Sequence, residues 1–465
     1  MYYIRMLFMA YNYMKKLNTQ KNSVASYYLD DFLGKKLHKN LGKTLVISDD
    51  LGISIAEKHI KSFDLILVAP NANSISKISK IKPGFYSTII ILNAFNSVFE
   101  YENLLIGLVR ILRKDGKIFA ALNSNPFEQK KSVGFWGFTE ASTRYLFSKY
   151  FKSKDLIFSG YGNVLMGRYH LDGLDVSDLN QDQLSYYDPY YPIIIWVVAI
   201  KTTDQITGNK PAVGIDDKKS LKLGVAAKFK RAYYFLDTPL DIARVVRGFF
   251  VRRLKTRSSY LNKNSLNPIS DMYGFDRGKP VDRVYIEQFL AENKKYIKGA
   301  CLEIVDSHYT KMFGTKKVTR FDALDIFPSK KANIHGDLRN LTQVKSNEYD
   351  CLIITQTFNV VDDYYSAISE SYRILKPGGV LLVTMPTISP CQNLKVNMWR
   401  FSNDGMKYAI SKYFGEKNVL SSGYGNLEAV KAFWVGLAKE DMTEKEINTK
   451  TNELPLIIGA VAFKK

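Results

Sequence analysis

Four carboxylates follow one another behind apolar runs late in the chain: Glu303 and Asp306 in ACLEIVDS, Asp322 in KKVTRFDAL and Asp337 in IHGDL. Ionised carboxylates are strong acceptors for ligand N–H and O–H groups. Acids at successive strand ends therefore suit a ligand rich in amino and hydroxyl donors, bound beyond the carboxyl edge of an open sheet. The plainer alternative is that they cap helices at ordinary strand ends. Asp363 and His308 are candidates for a general base, a role that an isolated Asp or His seldom fills. Arg277, Arg283 and Arg400 carry the charge to hold an acidic or phosphorylated acceptor, or to lock a capping segment onto the domain.

Such acids need elements that bring them to one edge. YIEQFLAENKKYI has helical spacing, ACLEIV reads as a short buried strand, KKVTRFDAL as a second and YDCLIIT as a third. YYSAISESYRIL is a helix stopped by LKPGG, with VLLVTMP behind it as a buried strand. LPLIIGAVAF is a closing strand at or near an edge. Strands alternating with helical crossovers predict a parallel, doubly wound α/β sheet.

The pattern occurs twice. SGYGN stands at Ser159–Asn163 and again at Ser422–Asn426, 263 residues on. Across Phe138–Asn163 and Phe401–Asn426, 12 of 26 positions are identical, where residue usage predicts roughly one or two. Tyr86–Tyr101 matches Tyr349–Tyr364 in the same register, and YLDDFL at Tyr28 faces YIEQFL at Tyr285 with a slightly different offset. The chain is therefore expected to hold two tandem units, 1–201 and 270–465, with 202–269 linking them. A solenoid of many short repeats is excluded. The units differ where chemistry would sit. Val46 replaces Glu303 and Ser74 stands where Asp337 is expected, although Asp49 faces Asp306 and Asp64 faces Asp322. WRF at Trp399 becomes WGF at Trp136. Apolar periodicity and turn residues persist in both, so the first unit reads as a fold kept for packing after its site was lost.

DRGKPVDRVYIEQFL, LEIVDSHYT, VTRFD, GDL, TQTFN, ILKPGGVLL and WRFS together resemble class I S-adenosylmethionine-dependent methyltransferases over about residues 270–465. More narrowly, they resemble methyltransferases associated with bacterial glycosyltransferases and surface-polysaccharide synthesis. The resemblance implies two tandem Rossmann-like sheets and S-adenosylmethionine as cofactor. It places Glu303 and Asp306 at the methionyl end, Asp322 at the ribose hydroxyls, Asp337 at the adenine amine and the Leu338 amide at the ring edge, with Val305 and Gln356 completing the cofactor set. Arg277, Arg283, Tyr285 and Arg400 fall to the acceptor or its cap, and the implied acceptor is a sugar or glycan precursor. That family expects glycine where Val305 stands, and a β-branched side chain disfavours positive φ.

The bulk numbers limit partners. Of 465 residues, 46% are hydrophobic and 24% charged, an ordinary globular balance. Three cysteines in no metal-like spacing argue against a disulfide framework and for a reducing, cytoplasmic setting. The first residues do not read as a signal peptide, and no apolar run approaches the ~20 residues of a membrane span. Much of the net charge of +21 gathers between Lys228 and Arg257, where TPLDIARVVRGFFVRRLKTR predicts a basic amphipathic helix over about 238–257. Such a block suits an acidic partner, whether nucleic acid, a phosphorylated substrate or an anionic membrane face that would place the protein peripherally at the inner side of the membrane, while glycosyltransferase partners are what the family resemblance implies. The bland alternative is a helix packed between the units. Nucleic acid is disfavoured, because no aromatic platform or recognised nucleic-acid module accompanies the charge.

Overall fold

The computed structural model describes residues 23–37, 41–48, 50–68, 74–126, 134–202, 250, 256–257, 264–314, 316–391, 396–449 and 454–465. Most of the expected linker helix over 238–257, the amino-terminal stretch and Asp49 lie outside the described residues.

Two mixed sheets carry the chain. The first orders β2 (Asp64–Leu67), β1 (Thr44–Ser48), β3 (Tyr86–Leu92), β4 (Leu112–Asn123), β7 (Ile194–Ile200) and β6 (Leu156–Tyr161). The second orders β10 (Ile334–His335), β9 (Val318–Asp325), β8 (Gly299–Ile304), β11 (Tyr349–Thr355), β12 (Leu375–Pro386), β15 (Ile457–Phe463) and β14 (Val419–Tyr424). In each sheet the leading strands are parallel and the last two strands run antiparallel. The closing LPLIIGAVAF strand, β15, is paired on both sides and lies one strand in from the edge. Central strands such as β3 and β1 are buried along their whole length, as parallel strands covered on both faces must be.

The duplication extends to backbone detail. Asn93 and Gln356, 263 residues apart, adopt φ of 58° and 49°, while Asp115 and Gly378 adopt 60° and 78°. At the SGYGN corners, Asn163 and Asn426 cap the following helices by accepting from the amides of Met166 and Ala429, both at 2.9 Å. Each asparagine also donates to two carbonyls of a downstream helical turn: Gln183 and Tyr186, or Glu446 and Thr449. An Asn-to-carbonyl clamp of this kind ties three segments of chain, which explains why the motif is the same in both units.

The units face each other across a pseudo-two-fold axis. Strand β5 (Trp136–Phe138) pairs antiparallel with β13 (Trp399–Phe401), with Arg400 opposite Gly137 at the centre. Those two positions are equivalent in the repeat, so the axis runs between them. The equivalent tyrosines Tyr101 and Tyr364 join hydroxyl to hydroxyl at 3.1 Å, and the rings of Trp136, Phe138, Trp399 and Phe401 pack around them. Lys412 pairs with Glu100 at 2.7 Å and Lys431 with Asp172 at 2.5 Å, while Trp434 donates to the Val164 carbonyl at 3.1 Å. One apolar cluster runs through both units without a break. This is the isologous contact of a homodimer, made within one chain.

Candidate functional site

In the second sheet the chain runs from β8 out to β9 on one side and later returns to β11 on the other, so the switch point lies between β8 and β11. A cleft of about 420 Å³ opens beyond the carboxyl ends of these two strands, within the size range of small-ligand sites. Ile304 and Val305 line it from β8 and the turn after it, and Thr355 from β11. Asp306 and Ser307 line it from the same turn, His308, Tyr309 and Lys311 from the following helix His308–Phe313, and Arg283 and Glu287 from the helix Val281–Glu292.

Val305 adopts φ of 75°, a left-handed conformation in which a β-branched residue is an outlier. The turn keeps the backbone expected of glycine although the residue is valine. Two flanking ties hold it there. The Val305 amide donates to the Leu324 carbonyl at 2.8 Å. Glu303 receives the amides of Tyr309 and Thr310 and the Thr310 hydroxyl at 2.7–2.9 Å. Glu303 is 3% exposed, and burial outweighs those donors and pushes its carboxyl up to about 7. It thus fastens the helix start to the strand end, and Asp306 accepts the His308 amide at 3.0 Å beside it.

Asp322 is placed differently from the sequence expectation. β9 continues three residues beyond it to Asp325, and Asp322 lies level with Leu302 in mid-sheet. Its carboxylate accepts from Tyr349 Oη at 2.8 Å, Asn333 Nδ2 at 2.8 Å and Arg320 Nε at 3.0 Å. The first unit repeats the tie, with Tyr86 Oη donating to Asp64 at 2.8 Å. A bond present in both copies is a strand-to-strand brace, buried at Asp322 and exposed at Asp64. The residue at the strand tip, which sequence reasoning missed, is Asp325. It follows Leu324, whose carbonyl anchors Val305, and one of its oxygens caps the turn at the Phe327 amide at 3.0 Å. The other has no partner among the described residues. The signal was in the sequence: FDALD continues the strand to the last acid, and Pro328 marks its stop. Leu67 occupies the matching register in the first unit.

Asp337 is held by Arg339, whose Nε and Nη2 grip both its oxygens while Nη1 reaches Asp362 at 2.6 Å. Burial pulls the Asp337 carboxyl upward, but Arg339 wins and holds it below the usual range. The Leu338 side chain is buried in the core. Gln356 sits just past β11 with its amide donating to the Thr384 carbonyl at 2.9 Å, and its side-chain nitrogen is buried without a partner.

Among the expected cap residues only Arg283 lines the cleft, where it also reaches Tyr309 Oη at 3.4 Å. Arg277 is fully buried and forks onto Asp441 at 2.7 and 2.8 Å. Arg400 is spent at the pseudo-two-fold axis on Asn397, the Trp399 and Ser389 carbonyls and Cys391. Tyr285 donates to the Ile447 carbonyl at 2.9 Å, as its counterpart Tyr28 does to Leu184 at 3.3 Å, so it too is a duplicated brace. His308 lines the cleft, whereas Asp363 caps the helix Tyr364–Ile374 by accepting from Ser366 and is not among the lining residues.

Residues 308–383 match the family model described as "Methyltransferase domain". Within the second unit, that stretch is similar to a methyltransferase domain. The matched stretch begins on the helix after the Val305 turn and runs through β9, β11 and most of β12. No curated protein sequence matches the chain. Solved structures similar to it include phosphoethanolamine N-methyltransferase 2 of Haemonchus contortus in complex with S-adenosyl-L-methionine, at 13% identity over 95% of this chain and 99% of that one, with a TM-score of 0.29. A possible histamine N-methyltransferase of Thermotoga maritima shares 19% identity over 40% of this chain and 92% of its own, with a TM-score of 0.29. A methyltransferase of Archaeoglobus fulgidus shares 14% identity over 40% of this chain and 94% of its own, with a TM-score of 0.28. Among the described residues no helix is long and apolar enough to cross a membrane, and no cluster of His, Cys, Asp and Glu could hold a metal ion.

Proposed function

We propose that the second unit binds S-adenosylmethionine at the switch point and transfers its methyl group to a sugar or glycan precursor. The observation that carries this reading is the coincidence of the cleft with the methyltransferase-matching stretch: His308, Tyr309, Lys311, Lys330, Lys331 and Thr355 all line the cleft from within it. The cofactor would supply a sulfonium-bound methyl group that is already electrophilic, leaving S-adenosylhomocysteine. The chain's own task is alignment and exclusion of water. In this reading Asp325, at the tip of β9 with one oxygen not engaged among the described residues, receives the ribose hydroxyls. Val305 and Asp306 form the turn against the methionyl part, and Gln356, just past β11, contributes its buried, unpartnered side-chain nitrogen. His308 is the candidate to take the acceptor's hydroxyl proton. Glu303 holds the helix in place, and Asp322, Tyr285, Arg277 and Arg400 act as braces.

The first unit, with Val46 and Leu67 in place of Glu303 and Asp325, is a degenerate copy retained for packing. The boundaries 1–201, 202–269 and 270–465 belong to this proposal. So do the sugar-type acceptor, a role in polysaccharide synthesis beside glycosyltransferases, and a place at the inner membrane face, all of which rest on the family resemblance. Calorimetric titration of S-adenosylmethionine into the full chain tests the core of it. Saturable binding that Asp325→Ala removes is expected, and an absence of binding refutes the enzymatic reading. A second reading, a non-catalytic scaffold, draws on Val305 and on the extent of the contact between units. A scaffold would gain no cofactor affinity from Val305→Gly.

A further inference from the structure

We infer that the cleft also receives the phosphate or diphosphate group of its acceptor, held by Arg283, Lys311, Lys330 and Lys331. The inference deepens the methyl-transfer reading, which it needs only to call the ligand an acceptor.

Those four cations converge on the cleft from three separate pieces of chain: the helix Val281–Glu292, the helix His308–Phe313 and the loop after β9. The acids in the same walls are largely committed. Glu287 is bound by Lys279 at 2.6 Å. Glu303 is sealed by three donors, and with its carboxyl pushed up to about 7 by burial, part of the population is uncharged near neutrality. Asp306 spends one oxygen on the His308 amide. The balance inside the cleft is therefore positive, and low-dielectric walls concentrate such a field on an incoming anion. The two kinds of cation divide the work. Arg283, 8% exposed, presents a planar fork at the inner wall, the geometry that grips phosphate through paired N–H donors. Lys311, Lys330 and Lys331 are exposed and act as flexible point charges from the solvent side. Arg277 and Arg400, with the same formal charge, do not line the cleft; Asp441 holds the first, and the Trp399 and Ser389 carbonyls the second.

The test is isothermal titration of inorganic pyrophosphate and of UDP into the full chain saturated with S-adenosylhomocysteine. Saturable binding is expected, weakened about tenfold or more by the double change Lys330→Ala, Lys331→Ala, in line with the loss of charge-assisted hydrogen bonds. The exposed pair Lys294 and Lys295, outside the cleft, changed in the same way should leave it unaltered. Three results overturn the inference: no saturable binding, an equal loss in the Lys294/Lys295 control, or competition by S-adenosylhomocysteine, which would give the lysines to the cofactor's carboxylate. Capture by phosphatidylglycerol vesicles that UDP does not compete also overturns it, since the cations would then serve a lipid surface. Pyrophosphate binding in a chain that fails to bind S-adenosylhomocysteine keeps the anion site and removes the methyl-transfer reading, so the two fail separately.

Discussion

Replacing Val305 by glycine and by alanine puts the strained turn to a quantitative test. Glycine removes the whole half-buried isopropyl group and alanine all of it but the Cβ, so the comparison between them cancels most of the lost packing. At φ of 75° an alanine still meets the left-handed penalty of about 1–2 kcal/mol. Glycine escapes it but loses more backbone freedom on folding, about 0.5–1 kcal/mol. The glycine variant should therefore be the more stable of the two by roughly 0.5–1 kcal/mol. At an extended position the order reverses, with alanine ahead by a similar amount. Urea unfolding of the full chain, with midpoint and slope fitted together, reads the difference. Calorimetry on the same proteins then asks whether the glycine turn, with room for a ligand to approach, tightens S-adenosylmethionine binding. An alanine variant as stable as the glycine variant, or more so, would refute the claim that this turn is held in a left-handed conformation.

Asp325→Asn should weaken S-adenosylmethionine binding about tenfold or more while leaving the unfolding midpoint nearly unchanged, whereas Asp322→Asn should cost about 1–3 kcal/mol of stability at the Tyr349 brace; the reverse pattern, read by calorimetry and urea melts, would return the ribose role to Asp322. The Glu303 carboxyl is raised in the folded state, from 4.5 to about 7, so folding binds its proton more tightly than the unfolded chain does. Its contribution is fully present below about pH 4.5 and is lost as pH rises through about 7. Glu303→Gln should flatten the pH dependence of the melting temperature across that window, and an unchanged slope counts against the assignment. A Cβ on Gly137 would lie 2.4 Å from the Ser124 carbonyl oxygen and 2.8 Å from Arg400 Cβ. Gly137→Ala should therefore cost about 1–3 kcal/mol through overpacking and loosen the pairing of β5 with β13, seen as faster proteolysis between the units.

The two-sheet architecture was legible because it rests on quantities a sequence carries directly: apolar period, turn residues and a 263-residue register. The site was legible only in part, for three distinct physical reasons. Asp322 and Asp325 lie on one strand three residues apart, and only the point where pairing with β8 ends separates a brace from a tip. Arg277, Arg283 and Arg400 look alike as charges. Their roles diverge through folded partners: Asp441, far along the chain, for Arg277, and Asn397 with the Trp399 and Ser389 carbonyls beside the pseudo-two-fold axis for Arg400. Lys330 and Lys331 stand in a polar stretch with no motif to single them out, and only the fold brings them to the cleft. Val305 taught the opposite lesson: its chemistry argued against a left-handed turn, and flanking hydrogen bonds imposed one regardless.

The pairing of Arg400 with Gly137 also constrains how this chain can have diverged. In a dimer of identical subunits, whatever side chain occupies the symmetry axis must meet its own copy. Two arginines there would bring like charges and full-length side chains into a space where even a Cβ on Gly137 would meet the Ser124 carbonyl and Arg400 Cβ. Within one polypeptide the two copies of that position need not match, and here they are opposites, arginine in one unit and glycine in the other. The second unit could not repeat this contact with a copy of itself without setting two arginines face to face, so the contact is specific to a pair of unlike units.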